Sequence, residues 1–533
     1  MIIVISGMNI LEQPLYADTV SMWAYAVALG TVVFSLLVHS RFLWNLRISS
    51  AAILCSLIGV SLGLVIVSGL PVFIIILIFL IQTYRLFSLF RVIKNRVNSQ
   101  ALRNRSLRSE LVLSVCLLVV LIIEQLGLAD RFSLSELVLI IASVQFVAAI
   151  IFFKHAKEME TQTNIKMPKK FDSDSSLPSI TLAIPARNET DELNECLRSI
   201  LQTNYPKLEV LVVDDCSQDN TSDIIKKFAH QGVRFISGKT PPQSWLAKNY
   251  AYHQLLDEAG GKYVIFCGTD VRYEPDSLRI IMQSVVDAGY EMASILPMRG
   301  NKFDRHYLLQ PMRYWRELAI PRIFDKTPPV LSTCWIAKRS FLDSIGGFAA
   351  HKKTIRPERI LSRIANSKMQ YKFARSSSGL GISSVKNISA QWNTATRTRY
   401  PELKNRPENI FFYSIMYFVL LFGVPLTFMY SIYAGDALSL LLSAASTLLL
   451  LLTHNLINML STGKVSLLKL ITFPISVVLE VVVSNYSMWA YEFSEVIWKG
   501  RNVCLPVLQT NLTLPKLDAE LNISVVGDEN RES

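Results

Sequence analysis

The sequence predicts an α/β domain inserted between two bundles of membrane helices, and three observations predict it. The chain has 533 residues, 51% of them hydrophobic, and a mean hydropathy of +0.32, more apolar than a water-soluble protein of this size needs. Apolar runs long enough to cross a bilayer, about 20 residues each, gather towards both ends. Between them, short β-rich runs alternate with amphipathic helical segments.

Taken in order, the N-terminal runs are 21–39, 50–69, 71–90, 111–128 and 134–153. The first does not read as a cleavable signal, because residues 1–20 contain Glu12 and Asp18 and no Lys or Arg. Basic residues beside each run orient it. Arg41 and Arg47 fall inside, the turn around Pro71 outside, and the segment 84–110, with seven Lys/Arg and one acid, inside. Residues 129–136 then lie outside, and Lys154 and Lys157 return inside. The N-terminus is expected outside and residues 154–408 in the cytoplasm. The resulting division is a membrane domain of about five helices (1–153), a linker (154–178), an α/β domain (179–409), C-terminal membrane helices (410–490) and a tail (491–533).

The C-terminal runs are 410–433, 437–459 and 467–490. Three full crossings would put the basic stretch Ile497 to Asn502 outside, and the last run holds Pro474 and Glu480. Two or three crossings both remain open. Residues 507–533 are polar and unpatterned, as a disordered tail is.

The formal charge of +12 admits nucleic acid, anionic lipid or an acidic substrate as partner. Its concentration beside apolar runs favours lipid, and no basic-aromatic nucleic-acid module is visible. Seven cysteines are scattered without a CxxC pair, so neither a zinc site nor a disulfide framework is indicated.

In the middle, "SITLAIPA" (179–186), "LEVLVVDD" (208–215), "VRFISG" (233–238) and "YVIFCGTD" (263–270) read as strands. Between the first two, Leu193, Cys196, Leu197, Ile200 and Leu201 share one helical face, with Thr190 placed as its cap. Such alternation gives a mostly parallel sheet that binds ligands at its strand C-termini. Asp214, Asp215, Asp270 and the residues after Ile184 all lie at such ends.

The segment "ITLAIPARNETDELNECLRSILQTNYPKLEVLVVDDCSQDNT" resembles the opening of family-2 inverting glycosyltransferases with a GT-A (Rossmann-like) fold. "SWLAKNYAYHQLLDEAGGKYVIFCGTD", "IGGF" (345–348), "QWNTATRTRYPEL" (391–403) and "IWKGR" (497–501) resemble the membrane-bound branch that glycosylates ceramides, carotenoids and hopanoids. The resemblance spans about 180–410 and the last motif, not the N-terminal helices. It implies an inverting hexosyltransferase that moves one sugar from a nucleotide sugar, UDP-linked, to a membrane lipid at the cytoplasmic face.

The same resemblance implies residue roles. Pro185, Ala186, Arg187 and Glu189 would meet base and ribose, with Asp215 accepting the uracil N–H and Lys248 near the diphosphate. Asp270 would ligate a divalent cation, Mg²⁺ or Mn²⁺. Glu358 would be the base, and Gln391, Trp392 and Arg397, with Arg399, would meet acceptor or diphosphate. Each residue also has a plainer reading: Asp215 as a helix cap, Lys248 as a solvated lysine, Asp270 as a turn residue, Glu358 as an exposed helix-start glutamate. Segments 305–322 and 391–400 would equally suit a membrane surface. The sequence departs from the family at Ala247, Gly268 and Pro357, where the pattern has a glycine and two acids, so a degenerate sugar-nucleotide binder is an alternative. A processive polysaccharide synthase is a further one, disfavoured because Gln-x-x-Arg-Trp is absent.

Overall fold

The computed structural model describes residues 133–165, 167–168, 173–242, 245–299, 310–322, 327–386, 388–463, 471, 473–492 and 496–503. The first four N-terminal runs, the basic segment 84–110 and the tail beyond Val503 lie outside the described residues.

Strand residues with alternating faces explain the central sheet. Strands β1 (Ile180–Ala186), β2 (Leu208–Asp214), β3 (Val233–Ser237) and β4 (Tyr263–Cys267) run parallel in the order β3-β2-β1-β4. Ile180, Leu182, Ile184, Val210, Val212 and Ile265 face one core; Ala183, Leu211, Val213, Val264 and Phe266 face another. A strand buried on both faces reads as an unbroken apolar run. Helix α1 (Leu134–Gln162) precedes the sheet, α2 (Asp191–Leu201) joins β1 to β2, and the short α3 (Thr221–Lys226) follows β2. Helix α4 (Ala247–Glu258) precedes β4 and covers the second core through Ala251, Tyr252, Leu255 and Leu256. Leu193, Cys196, Leu197 and Ile200 of α2 pack into the first core as expected. Thr190 does hold the cap position, but its side chain makes no capping hydrogen bond.

Past β4 the direction changes. After β5 (Val271–Tyr273), α5 (Ser277–Asp287), β6 (Met292–Leu296) and α6 (Gln310–Leu318), strand β7 (Cys334–Lys338) inserts antiparallel between β4 and β6. Helices α7 (Arg339–Ser344) and α8 (Pro357–Ser367) and strand β8 (Tyr371–Arg375), parallel to β6, complete a seven-stranded sheet in the order β3-β2-β1-β4-β7-β6-β8. The sheet is thus mixed, with a GT-A-like arrangement. Strand β9 (Ile382–Ser384) pairs with β5 in a separate two-stranded ladder.

Helix α9 (Ile388–Glu402) leads to α10 (Pro407–Tyr417), a π-helical turn (Phe418–Phe422) and α11 (Gly423–Ala434). Then come α12 (Ala437–Thr462), α13 (Phe473–Glu492) and a small hairpin, β10 (Ile497–Trp498) with β11 (Arg501–Asn502). Among the described residues, four helical stretches are long and apolar enough to cross a membrane: Leu134–Gln162, Asn409–Ala434, Ala437–Thr462 and Phe473–Tyr491. Helix α1 starts at a capping box made by Ser133 and Glu136 and runs to Gln162, past the expected end of its apolar run. Along α12, Ser443, Ser446, Thr447 and Thr453 return their hydroxyls to carbonyls one turn back, which satisfies them without water.

Helix α6 is not a surface segment. Trp315 is fully buried at the junction between domain and helices, stacked 5.4 Å from Phe473 and donating to His454 Nδ1 at 3.0 Å.

Candidate active site

A cavity of about 390 Å³ opens beside the sheet, reached by Pro241 after β3 and Ser332 before β7. One wall is the start of α4, Leu246 to Asn249; the others come from Arg356, from Arg397 and Thr398 of α9, and from the hairpin residues Trp498, Arg501 and Asn502. The backbone fixes this meeting place. Asn249 Nδ2 donates to the carbonyls of His351, Lys352 and Thr354, and Leu246 N–H donates to Lys352. The turn that carries Lys248 is therefore tied to the loop that delivers Glu358.

Lys248 lines the cavity and lies 5.1 Å over the Tyr252 ring, so it is not a solvated helix lysine. Burial pushes its ammonium down to about 8; Glu358 opposes that fall, while Arg397, Arg356 and Lys386 add to it. Arg397 also lines the cavity, 4.9 Å from the Trp498 ring, with its carbonyl held by Tyr491 Oη at 2.7 Å.

Glu358 is fully buried in the first turn of α8, which overturns the exposed helix-start alternative. Its Oε1 accepts from Arg356 Nε at 3.1 Å, and its Oε2 has no hydrogen-bond partner among the described residues. Pro357 fits because the first helical position needs no N–H. Arg356 continues to Glu402, which also meets Arg316, Arg313 and Arg399. Burial opposes the charge on Glu402, yet these arginines hold it well below the usual carboxylate range.

At the β1 and β2 ends the expected nucleoside residues are brought together, but their partners are protein. Asp215 N–H donates to the Ala186 carbonyl at 2.8 Å, next to the half-buried Pro185. Arg187 Nη1 reaches the carbonyls of Asp215 and Cys216 at 2.6 and 2.5 Å, and its Nε reaches that of Lys499 at 3.0 Å. Arg501 Nη1 lies 2.6 Å from Asp215 Oδ1, and Lys499 pairs with Glu189. Burial raises Asp215 and Glu189 above their ordinary values, and the hairpin cations pull both back. Asp215 is no helix cap. Its neighbour Asp214 accepts from Ser217 N–H at 3.0 Å and from Ser222 Oγ.

Three other expectations are corrected. Arg399 turns away from the cavity and pairs with Glu480, Nε to Oε1 at 2.6 Å. Trp392 packs 5.6 Å from Tyr486 among Ala395, Leu479 and Val483, a contact between α9 and α13, and is not part of the cavity wall where acceptor or diphosphate would sit. Gln391 donates to the Lys386 carbonyl at 3.0 Å, so it positions a loop.

A divalent cation fits poorly at Asp270. Its Oδ2 accepts from Ser384 Oγ at 2.5 Å and lies 3.5 Å from Lys386 Nζ. A β-carbon at Gly268 would stand 2.5 Å from Asp270 Oδ1, so a carboxylate there would require the Asp270 side chain to turn from its present place. Among the described residues, no group of three or more His, Cys, Asp or Glu side chains is placed to hold a metal ion. A dication and an ammonium about 4 Å apart repel by about 8 kcal/mol at an effective dielectric of about 20.

Sequence reasoning does not single out Lys386, Lys499 or Arg501 as site residues. The hairpin motif is visible in the chain; its return to β1 and β2 is not.

Residues 181–346 match the sequence profile described as Glycosyl transferase family 2. TuaG of Bacillus subtilis, a glycosyltransferase named for teichuronic acid biosynthesis, is 30% identical over 132 residues, 24% of this chain and 52% of that protein. Poly-beta-1,6-N-acetyl-D-glucosamine synthase of Staphylococcus aureus is 27% identical over 135 residues, 25% of this chain and 31% of the synthase. The chain thus spans about half or less of these relatives' length. Among solved structures, the mannosyltransferase PcManGT from Pyrobaculum calidifontis in complex with GDP-Man and Mn²⁺ superposes with a TM-score of 0.36 at 17% identity, covering 67% of this chain and 96% of that one.

Proposed function

We propose that the chain transfers a single sugar from a nucleoside diphosphate sugar, UDP-linked, to a membrane lipid acceptor, with inversion at the anomeric carbon. One observation carries the reading. The cavity is walled by Lys248, Arg356, Arg397 and Arg501, and behind them lies a buried carboxylate, Glu358, with one oxygen unpartnered. Guanidinium and ammonium groups suit a diphosphate. A carboxylate oxygen with nothing to accept suits the proton of an attacking hydroxyl. In the reaction the acceptor oxygen bonds the anomeric carbon, the bond from that carbon to phosphate breaks, and the proton goes to Glu358. Lys248 and Arg397 face the charge left on the diphosphate.

A lipid acceptor is supported by where the cavity sits. Helix α9 supplies Arg397 and Thr398 to the cavity, while its Trp392 and Arg399 pack on α13, one of the four apolar helices. The ends of α13 bear on topology. Just before it, Ser461 of α12 accepts from Arg299 N–H at 2.7 Å, and after it the hairpin docks on Asp215 and Glu189. Both flanks of α13 thus meet the α/β domain. This favours two C-terminal crossings, by Asn409–Ala434 and α12, with α13 lying along α9, and it keeps the hairpin on the cytoplasmic side with the domain.

Purified full-length protein in detergent, given UDP- and GDP-hexoses and a lipid extract, tests this by mass spectrometry of the lipids. A lipid heavier by one hexose is expected, and it should vanish in Glu358→Gln. Polymer product would replace this reading with that of a synthase. Donor binding without turnover across the panel would leave a sugar-nucleotide binder.

A further inference from the structure

Of the two acids in the family's Asp-x-Asp pattern, this chain keeps only Asp270, and the fold gives that carboxylate a cation of its own. Lys386 Nζ lies 3.5 Å from Asp270 Oδ2, with the two side chains 18% and 16% exposed. Backbone pairing sets their register. Val271 and Ser384 are partners in the β5–β9 ladder, and Val385 N–H donates to the Asp270 carbonyl at 2.9 Å. From the other side the buried Gln391 holds the Lys386 carbonyl at 3.0 Å. Gly268 leaves Asp270 free to hold this orientation, because a β-carbon there would oblige the carboxylate to turn.

We propose that Lys386 takes the place of a divalent cation, its ammonium held by Asp270 and directed at the leaving diphosphate, so that the chain transfers sugar without a metal. This rests on the glycosyl-transfer reading above. The bonding pair released from the anomeric carbon stays on the diphosphate, and the acceptor proton goes to Glu358. The added negative charge is met by Lys386 together with Lys248 and Arg397, three monocations where a dication would otherwise act. An ammonium suits this role, being a compact charge with three donors for phosphate oxygens. Asp270 then acts as a positioning residue.

The test is equilibrium binding of UDP and of GDP, with turnover of the matching donor sugars, on the full chain in detergent with excess EDTA or with added Mn²⁺. Affinity and rate are expected to be the same in both conditions. Lys386→Ala should weaken nucleoside diphosphate binding by about tenfold or more, as loss of a charged phosphate contact does, and Mn²⁺ should not restore it. Lys386→Arg should retain most of the affinity. A double variant, Gly268→Asp with Lys386→Ala, should bind nucleotide more tightly with Mn²⁺ than with EDTA. Binding or turnover that EDTA abolishes and Mn²⁺ restores in the unmodified chain overturns the proposal and leaves the transferase reading standing. So does wild-type affinity in Lys386→Ala. If that variant does not fold, the EDTA comparison decides alone. Failure to bind UDP or GDP under any condition overturns both readings.

Discussion

Glu358 and Glu402 are both buried glutamates gripped by the same arginine, Arg356, yet their surroundings suit them to opposite roles. Glu402 meets four arginines, and its charge is fixed. Glu358 has Arg356 on one oxygen and nothing on the other. A carboxylate saturated with guanidinium groups is poor at accepting a proton; one left half-satisfied beside a cavity can take it. Arg356, by bridging the two, ties Glu358 to Glu402.

This contrast can be broken directly. The largest effect is expected from Glu358→Gln, which should lower kcat by on the order of 10³-fold while the unfolding temperature barely moves; both are read on one preparation, by turnover and by scanning fluorimetry. Glu402→Gln should do the reverse. It leaves several buried arginines without their counter-charge, so a loss of about 3 kcal/mol of stability is expected, measured by unfolding in detergent. Equal losses of rate in the two variants would erase the distinction.

A smaller effect sharpens it. Lys248, with its ammonium pushed down to about 8, carries its charge below that pH and sheds it above. Bound diphosphate favours the charged form, so donor KM should climb by up to about tenfold per pH unit above 8. Lys248→Ala should abolish that climb. The smallest effect is expected at the hairpin. Arg501→Ala frees Asp215, and nucleoside diphosphate affinity should change by about threefold with kcat unaltered, as measured by titration and steady-state rates.

Much of the domain is legible in the sequence because its signals are local. Apolar strands, the α2 face and the strand-end acids all follow from period and turn chemistry, and Lys248, Glu358 and Arg397 stand at or beside the cavity. What escapes is set by distance or direction. Arg399 lies two positions after Arg397 on the same helix, and residues two apart do not share a face, so one faces the cavity while the other meets Glu480. The chemistry of Trp392 suggests a sugar platform, whereas its direction belongs to α13. Arg501 and Asp215 are 286 residues apart, and no period or motif announces their meeting. Lys386 belongs to no recognisable motif; only the β5–β9 ladder brings it to Asp270.

Val503, the residue just after the hairpin, forms part of the cavity wall and is held by a backbone bond from its N–H to the Val496 carbonyl at 3.0 Å. Whatever is joined soon after that point starts beside the cavity proposed to take the donor. An affinity tag or fluorescent protein fused there should hinder nucleotide entry, and a longer spacer should relieve it, so how a fusion is spaced will bear on the activity measured from it.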